Sequence, residues 1–532
     1  MNNKFNGAGQ DMSEPYPPTV HPQTTAQADY QRNLHNNAPL AGSKVTSPKD
    51  SLNASYTSYS VFCVAIACLV AFNNGWNTSV TNIPEDAIRN CPNPNEKDGG
   101  FFPCFPMGDW LWGFAVGSYA LGGAVGGLSA GWFQTKFGRR NSLMVNNINF
   151  IIGAILLGFS AHQAMWIVGR FFTGIGSGLG TVVLPTYIGE SATTKSRGAM
   201  GVLNQLSVVI GILVTEVVGL GLSYHPGWRI DLAITGIIAI IQMALLPMVV
   251  ETPRYYISQD RVDSAEQSLI KIRKGYDTRN ELREIINARE EYKRTAGTVS
   301  ASEGIKYLFK DPVIRRNGWM CIFLCCAQQL SGINGVMYYS TTIFTDIYGK
   351  STAQYLTVGI GGLNLLATLL SVLLIDRLGR KILVLSSLAG MVIFHVILII
   401  GIQLNIPALV ILGVFAFVLS FAIGMGPIPF LIISELVPTH AVSTVSAISL
   451  GLNWFCNFLV GFFFPSLKNV MQGYVFLIFA VICAIAFVIA LIFQKETKGR
   501  SIEELTGGAS RTTGPVRDSQ TNFANPSSDY DA

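Results

Sequence analysis

Apolar residues in this chain gather into long blocks, not into strict alternation. Twelve blocks, at 59–83, 109–133, 142–161, 164–188, 201–222, 229–250, 318–345, 353–375, 382–403, 406–436, 442–466 and 472–493, can each cross a bilayer, which takes about 20 helical residues. Backbone groups in lipid have only each other to pair with, so each block is expected to be an α-helix. A membrane barrel would instead need short alternating segments, and the chain lacks that pattern. Residues 1–57 are rich in Asn, Ser, Pro and Gln, with no apolar core of a cleaved signal, and 495–532 are similar. Both read as disordered tails. The remaining polar stretch, 251–317, repeats apolar residues at helical spacing (Ala265, Leu269, Ile272; then Leu282, Ile285, Ile286). It predicts short helices on the membrane face. The expected organisation is a tail (1–57), a six-helix half (58–250), a helical linker (251–317), a second six-helix half (318–494) and a tail (495–532).

Composition agrees. Charged residues make up 13% of 532 positions and hydrophobic ones 49%, whereas soluble domains carry about 25% charged residues. That excludes a soluble enzyme, a disordered chain and a secreted disulfide scaffold. A net charge of +5 is too diluted to imply a nucleic-acid partner. No cysteine group has metal-ligand spacing, the six histidines are dispersed, and no Ser/His/Asp set or phosphate loop occurs. Neither an enzyme nor a cofactor or metal is indicated. Basic residues sit in the loops after the second span (Lys136, Arg139, Arg140), the fourth (Lys195, Arg197) and the eighth (Arg377, Arg380, Lys381), while the loop after the first is acidic. The positive-inside rule then puts both tails in the cytoplasm. Cys91 and Cys104 fall in that first external loop, where a disulfide and two free thiols are both open readings.

The two halves repeat. Phe137-Gly138-Arg139-Arg140 follows the second span and Leu378-Gly379-Arg380-Lys381 the eighth; Tyr187-Ile188-Gly189-Glu190 closes the fourth and Ile432-Ile433-Ser434-Glu435 the tenth. The separations are 241 and 245 residues. Related halves suggest a transporter that binds its substrate between them near the mid-membrane.

Seven short motifs in order carry a family resemblance: Gly169-Arg170-Phe171 with Tyr187-Ile188-Gly189-Glu190 and Arg197-Gly198; Glu251-Thr252-Pro253-Arg254-Tyr255; Gln328-Gln329-Leu330-Ser331-Gly332-Ile333-Asn334; Gly426-Pro427-Ile428-Pro429; and Glu496-Thr497-Lys498-Gly499-Arg500. Over about 59–505 the chain resembles the sugar porter branch of the major facilitator superfamily, and within it fungal hexose transporters and animal facilitative glucose transporters. The resemblance implies an all-α membrane protein with twelve helices in two pseudo-symmetric halves. It also implies alternating access.

A neutral sugar covered in hydroxyls calls for amide side chains, which donate and accept, and for aromatic faces. Mid-span amides are functional candidates, although helix–helix hydrogen bonding is an equal reading from the residues alone. Matched to the family, the sugar ligands fall on Gln205, Gln328, Gln329, Asn334, Asn364 and Asn457, with Phe430 as an aromatic lid. Asn453 and Trp454 lie in the same span as Asn457. Gly332 and Gly335 would let the seventh helix break, and Gly424, Gly426, Pro427 and Pro429 would hinge the tenth. Tyr338 and Tyr339 resemble gate residues. Arg139, Arg140, Arg170, Glu190, Arg197, Arg380 and Glu435 resemble the family's cytoplasmic charge latch.

Departures matter too. Phe430 stands where the family has Trp, Ala422 lies near a Glu of animal glucose facilitators, and Cys325-Cys326-Ala327 replaces their Gln-Leu-Ser. Val442 and Thr135 replace an Arg and an Asp of the latch motifs. Proton-coupled relatives place an Asp in the first span, where this chain has Asn77. An amide does not titrate, so facilitative uniport in the plasma membrane, by a monomer, is the expectation. Glu216 keeps proton symport open as the alternative. A non-transporting sugar sensor is the further alternative, disfavoured by the short C-tail.

Overall fold

The protein is described by a computed structural model covering residues 51, 56–90, 97–98, 102–103, 105–193, 196–295, 306, 308–437 and 439–498. Eleven segments in it are long and apolar enough to span a bilayer. The last of them, Ala441–Phe493, holds two helices joined by a 3-10 turn at Gln472–Tyr474, which makes twelve. Helix 1 is Ser58–Ser79, helix 2 Asp109–Phe137, helix 3 Arg139–Gly158, helix 4 Gln163–Ser191, helix 5 Arg197–Leu222 and helix 6 Gly227–Leu245. Helix 7 is Pro312–Leu330 continued by Ile333–Tyr348, and helix 8 is Lys350–Leu378. Helix 9 is Arg380–Gln403 and helix 10 is Pro407–Ile423 continued by Ile428–Leu436. Helix 11 is Thr439–Met471 and helix 12 Val475–Phe493. An even number of crossings puts Ser58 and Phe493 at the same end of the bundle, called here the tail end.

Several helix ends differ from expectation by four to six residues, and two of them show why. Helix 1 stops at Ser79 instead of running to 83, because the chain turns ahead of Pro84 and enters a short helix, Glu85–Arg89. Helix 11 runs past 466 to Met471, straight across Pro465, which neighbouring helices make tolerable in a membrane. Among its described residues the long polar stretch carries the helices Pro253–Ser258, Val262–Ile272 and Arg279–Thr295. They are fastened to the first half: Arg273 donates to the Ser191 carbonyl at 2.8 Å and Ser268 to the Glu251 carbonyl at 2.5 Å. Cys91 and Cys104 lie outside the described residues.

Lipid provides no hydrophobic drive between helices, so close backbone approach must supply attraction. This accounts for much of the high glycine content. A Cβ on Gly122 would lie 2.0 Å from the Phe171 carbonyl oxygen, and one on Gly178 1.9 Å from that of Gly123. Helices 2 and 4 therefore touch along their backbones. The halves meet along two long seams, helix 2 against helix 11 and helix 5 against helix 8.

Helix 7 breaks at Gly332, whose φ of +87° places it in the left-handed region. A Cβ there would also lie 2.6 Å from the Phe479 ring. Gly332→Ala is expected to lower the melting temperature of the purified protein, since left-handed backbone costs an L-residue about 1–2 kcal/mol before any clash. An unchanged melting curve would show that the turn tolerates a side chain.

Candidate functional site

Breaking helices 7 and 10 frees backbone carbonyls inside the membrane, and those groups need donors. Side-chain amides supply them. Gln328 Nε2 donates to the carbonyls of Met425 and Gly426, both at 2.8 Å, across the break in helix 10. Its Oε1 accepts from Asn453 Nδ2 at 2.9 Å, and Asn453 also donates to the Cys325 carbonyl at 2.8 Å. Gln329 donates to Asn453 Oδ1 at 3.1 Å and accepts from Asn334 Nδ2. The left-handed turn at Gly332 brings Asn334 back toward Gln329, five residues earlier. Tyr338 donates to Asn457 Oδ1 at 2.9 Å and Tyr339 to the Gly461 carbonyl at 2.7 Å. One uncharged network thus joins helices 7, 10 and 11. Asn453 is its centre, yet it lay outside the expected ligand set. Asn364 in helix 8 is buried and Gln205 in helix 5 half-buried, both outside this network. Phe430, two residues past the helix 10 break, is exposed.

At the end away from the tails, helix 1 seals against helix 7. Asn82 Nδ2 donates to the Met337 carbonyl at 2.9 Å and to Ser340 Oγ at 2.8 Å, and its Oδ1 accepts from the Thr341 amide at 3.1 Å. The Tyr339 backbone is non-helical, with φ −135° and ψ 15°, and Asn82 takes up groups beside that kink. Around it, Glu85 accepts from Thr342 and pairs with Arg89 at 3.1 Å, and Arg89 also pairs with Asp109. Burial pushes the Glu85 carboxyl up. Nothing in the sequence pattern singled out Asn82; its position just ahead of Pro84 was the available signal.

Arg170 requires a correction. It was expected in the cytoplasmic latch, but it sits in the second turn of helix 4, near the end opposite Arg139 and Glu190. It is fully buried, donates to the Asn77 carbonyl at 2.9 Å and lies 4.7 Å from the Tyr119 ring centre. The reason is chain direction: helix 4 runs toward the tail end, so its early residues lie at the far one. Asn77 itself donates to the Asn73 carbonyl at 2.8 Å and to Thr235.

At the tail end the other charges form two copies of one arrangement. Arg139 pairs with Glu190 at 2.7 Å, and Arg380 with Glu435 at 3.0 Å. Thr252 donates to the free oxygen of Glu190 at 2.6 Å, and Thr497 to that of Glu435. Glu251 accepts the backbone N–H groups of Arg139 (2.9 Å) and Arg140 (3.0 Å), capping helix 3. Glu496 does the same for Arg380 (2.9 Å) and Lys381 (3.0 Å) at helix 9. Carboxylates belong at helix N-termini. Arg140 spends its side chain on Asn141 and the Val249 carbonyl, not on Glu190. The Arg197 side chain lies outside the described residues. Each ion pair stays within its own half. Glu251 and Glu496 were not read as symmetric partners, although both precede Thr and are 245 residues apart, the separation of Glu190 and Glu435.

Residues 63–507 match the family of sugar (and other) transporters. The chain belongs to the sugar transporter family. It is 37% identical over 462 residues to the facilitated glucose transporter member 3 of solute carrier family 2 from Oryctolagus cuniculus, covering 85% of this chain and 92% of that one. It is 35% identical over 476 residues to member 1 from Gallus gallus, covering 86% and 95%. An inward-open structure of the xylose transporter XylE from E. coli superposes with a TM-score of 0.69 at 25% identity, covering 84% of this chain and 99% of that one. For a sugar transporter the two-fold repeat at the tail end and the one-sided amide network are separate facts. The charges are symmetric between halves; the amides belong mostly to the second.

Burial pushes the Glu496 carboxyl up, but backbone donors from Lys498, Arg380, Lys381 and Thr497 outweigh it and hold the group below the usual carboxylate range. A carboxyl lowered on folding adds stability above its unfolded value and loses it as pH falls through its folded one. Glu496→Gln should therefore melt lower than wild type at neutral pH. The gap should narrow as pH falls below the usual carboxylate range, where the wild-type carboxyl takes up its proton; a gap independent of pH would contradict the capping role.

Proposed function

We propose that this chain carries a glucose-type hexose down its gradient by alternating access in the plasma membrane, as a monomer with both tails cytoplasmic. The observation that carries the reading is the uncharged amide network at the breaks of helices 7 and 10, in a chain of the sugar transporter family. Gln205, Gln328, Gln329, Asn334, Asn364 and Asn457 bind the sugar hydroxyls, and Phe430 covers the ring. Asn453 holds Gln328 and Gln329 in place. Gly426, Pro427 and Pro429 hinge helix 10, and Tyr338 and Tyr339 close helix 7 over the site. Arg139, Arg140, Glu190, Arg197, Arg380 and Glu435 latch the cytoplasmic side, and the Glu251 and Glu496 caps fix where Arg139 and Arg380 begin their helices.

Uniport rests on Asn77. A coupled carrier needs a titratable group in the pathway, and this amide is tied instead to Asn73 and Thr235. Expressed in cells lacking their own sugar transporters, the protein should bring internal sugar up to the external level and no further. A protonophore should leave that endpoint unchanged. Accumulation against a gradient, abolished by the protonophore, would overturn uniport.

Gln328→Ala should weaken apparent sugar affinity about tenfold, because a hydrogen bond left unmade costs about 1–3 kcal/mol. The variant should also melt lower, since the Met425 and Gly426 carbonyls lose their donor. Affinity unchanged to within about twofold in correctly localised protein would remove Gln328 from the site.

A further inference from the structure

One buried carboxyl has no role in the mechanism above. Glu216 lies in helix 5 and is 1% exposed. Its Oε1 accepts one hydrogen bond, from Ser79 Oγ at the end of helix 1, at 2.7 Å. Its Oε2 has no hydrogen-bond partner among the described residues. That oxygen is pressed on helix 8: a Cβ on Gly361 would lie 2.1 Å from it. The contact crosses between the halves, on the helix 5–helix 8 seam.

The helix 2–helix 11 seam carries no such group where Gly461 meets Gly117. There a Cβ on Gly461 would lie 3.5 Å from the Gly117 Cα and 3.3 Å from the Tyr338 ring. One seam therefore meets glycine on glycine, while its mate carries a carboxyl against glycine.

Groups facing Glu216 offer no compensation for a charge. Helix 1 presents the Ser79 hydroxyl and helix 8 the glycine. Helix 6 presents Asp231, itself buried, with an oxygen 3.5 Å from a Cβ placed on Gly219, one turn further along helix 5. Both Asp231 oxygens lack partners among the described residues, and a second acid disfavours a charge on Glu216. A carboxylate with one hydroxyl donor and no cation is poorly stabilised in such a place, whereas the neutral acid fits. Alternating access rocks the two halves against each other, so the seam must shift and re-solvate the group.

We propose that Glu216 is a proton-binding site that gates the transport cycle: the carboxyl is protonated in the packed seam shown here and ionises when helices 5 and 8 part. The proton enters and leaves from the end away from the tails, where Ser79 ends helix 1. No proton is carried across with sugar. This rests on the transport reading above, and deepens it by adding a regulatory ligand, the proton. Because protonation favours the packed state, acid on that side speeds return to it.

The test is sugar counterflow at equal internal and external sugar, in cells or in vesicles of the purified full-length protein, with external pH varied. Wild type should be faster in acid than in alkaline medium, by roughly threefold or more. Glu216→Gln, which keeps the size and mimics the neutral acid, should be independent of pH and near the acid rate. Ser79→Ala removes the one donor to the charged form, so its pH midpoint should move to more alkaline values; a merely structural Ser79 would change the rate without moving the midpoint. Asp231→Asn separates the second acid, and should leave a pH dependence that Glu216→Gln abolishes. If Glu216→Gln fails to reach the membrane, the Ser79→Ala midpoint decides. A pH-independent wild type, or a Glu216→Gln profile matching wild type, overturns the gate and leaves uniport standing. Sugar-driven alkalinisation of the medium that is lost in Glu216→Gln overturns both the gate and uniport. No counterflow at any pH overturns the transport reading itself.

Discussion

A backbone carbonyl inside a bilayer must find a donor, and that single requirement organises the second half of this protein. Helices 7 and 10 are broken by glycine and proline, which leaves main-chain groups unpaired at mid-membrane. Asn453 holds the Gln328 and Gln329 amides, and Gln328 answers for the Met425 and Gly426 carbonyls at the helix 10 break. Asn82 does so for Met337 beside the Tyr339 kink. The amides that suit a sugar are thus the amides that hold the breaks together.

Symmetry and its violation divide the labour. At the tail end each half carries the same Arg–Glu pair, the same Thr on the free carboxylate oxygen and the same Glu capping the next helix. These pairs are less exposed than ordinary surface pairs, with side chains 14–23% accessible, and each joins two helices of one half. The seams between halves are where the symmetry fails. Glycine faces glycine between helices 2 and 11, whereas Glu216 faces glycine between helices 5 and 8.

The sequence by itself determined the twelve helices, because uninterrupted apolar length is a local property and lipid leaves no other fold for it. It also determined the two-fold relation, since Gly138-Arg139 and Gly379-Arg380 recur in register. The amide candidates were legible as residue types. Tertiary structure alone decided which of them meet: Asn453 became the centre because helix 11 packs against the face of helix 7 that carries Gln328 and Gln329, and the left-handed turn at Gly332 adds Asn334 by bringing it back to Gln329. Asn364 and Gln205 stayed apart from that cluster. Arg170 passed from the latch to the opposite end because sequence adjacency to a motif says nothing of depth along a helix. Glu251 with Arg140, Glu496 with Arg380 and Asn82 with Ser340 pair residues 111, 116 and 258 positions apart in the chain. Such partners are set by packing, and packing is where local pattern carries no information.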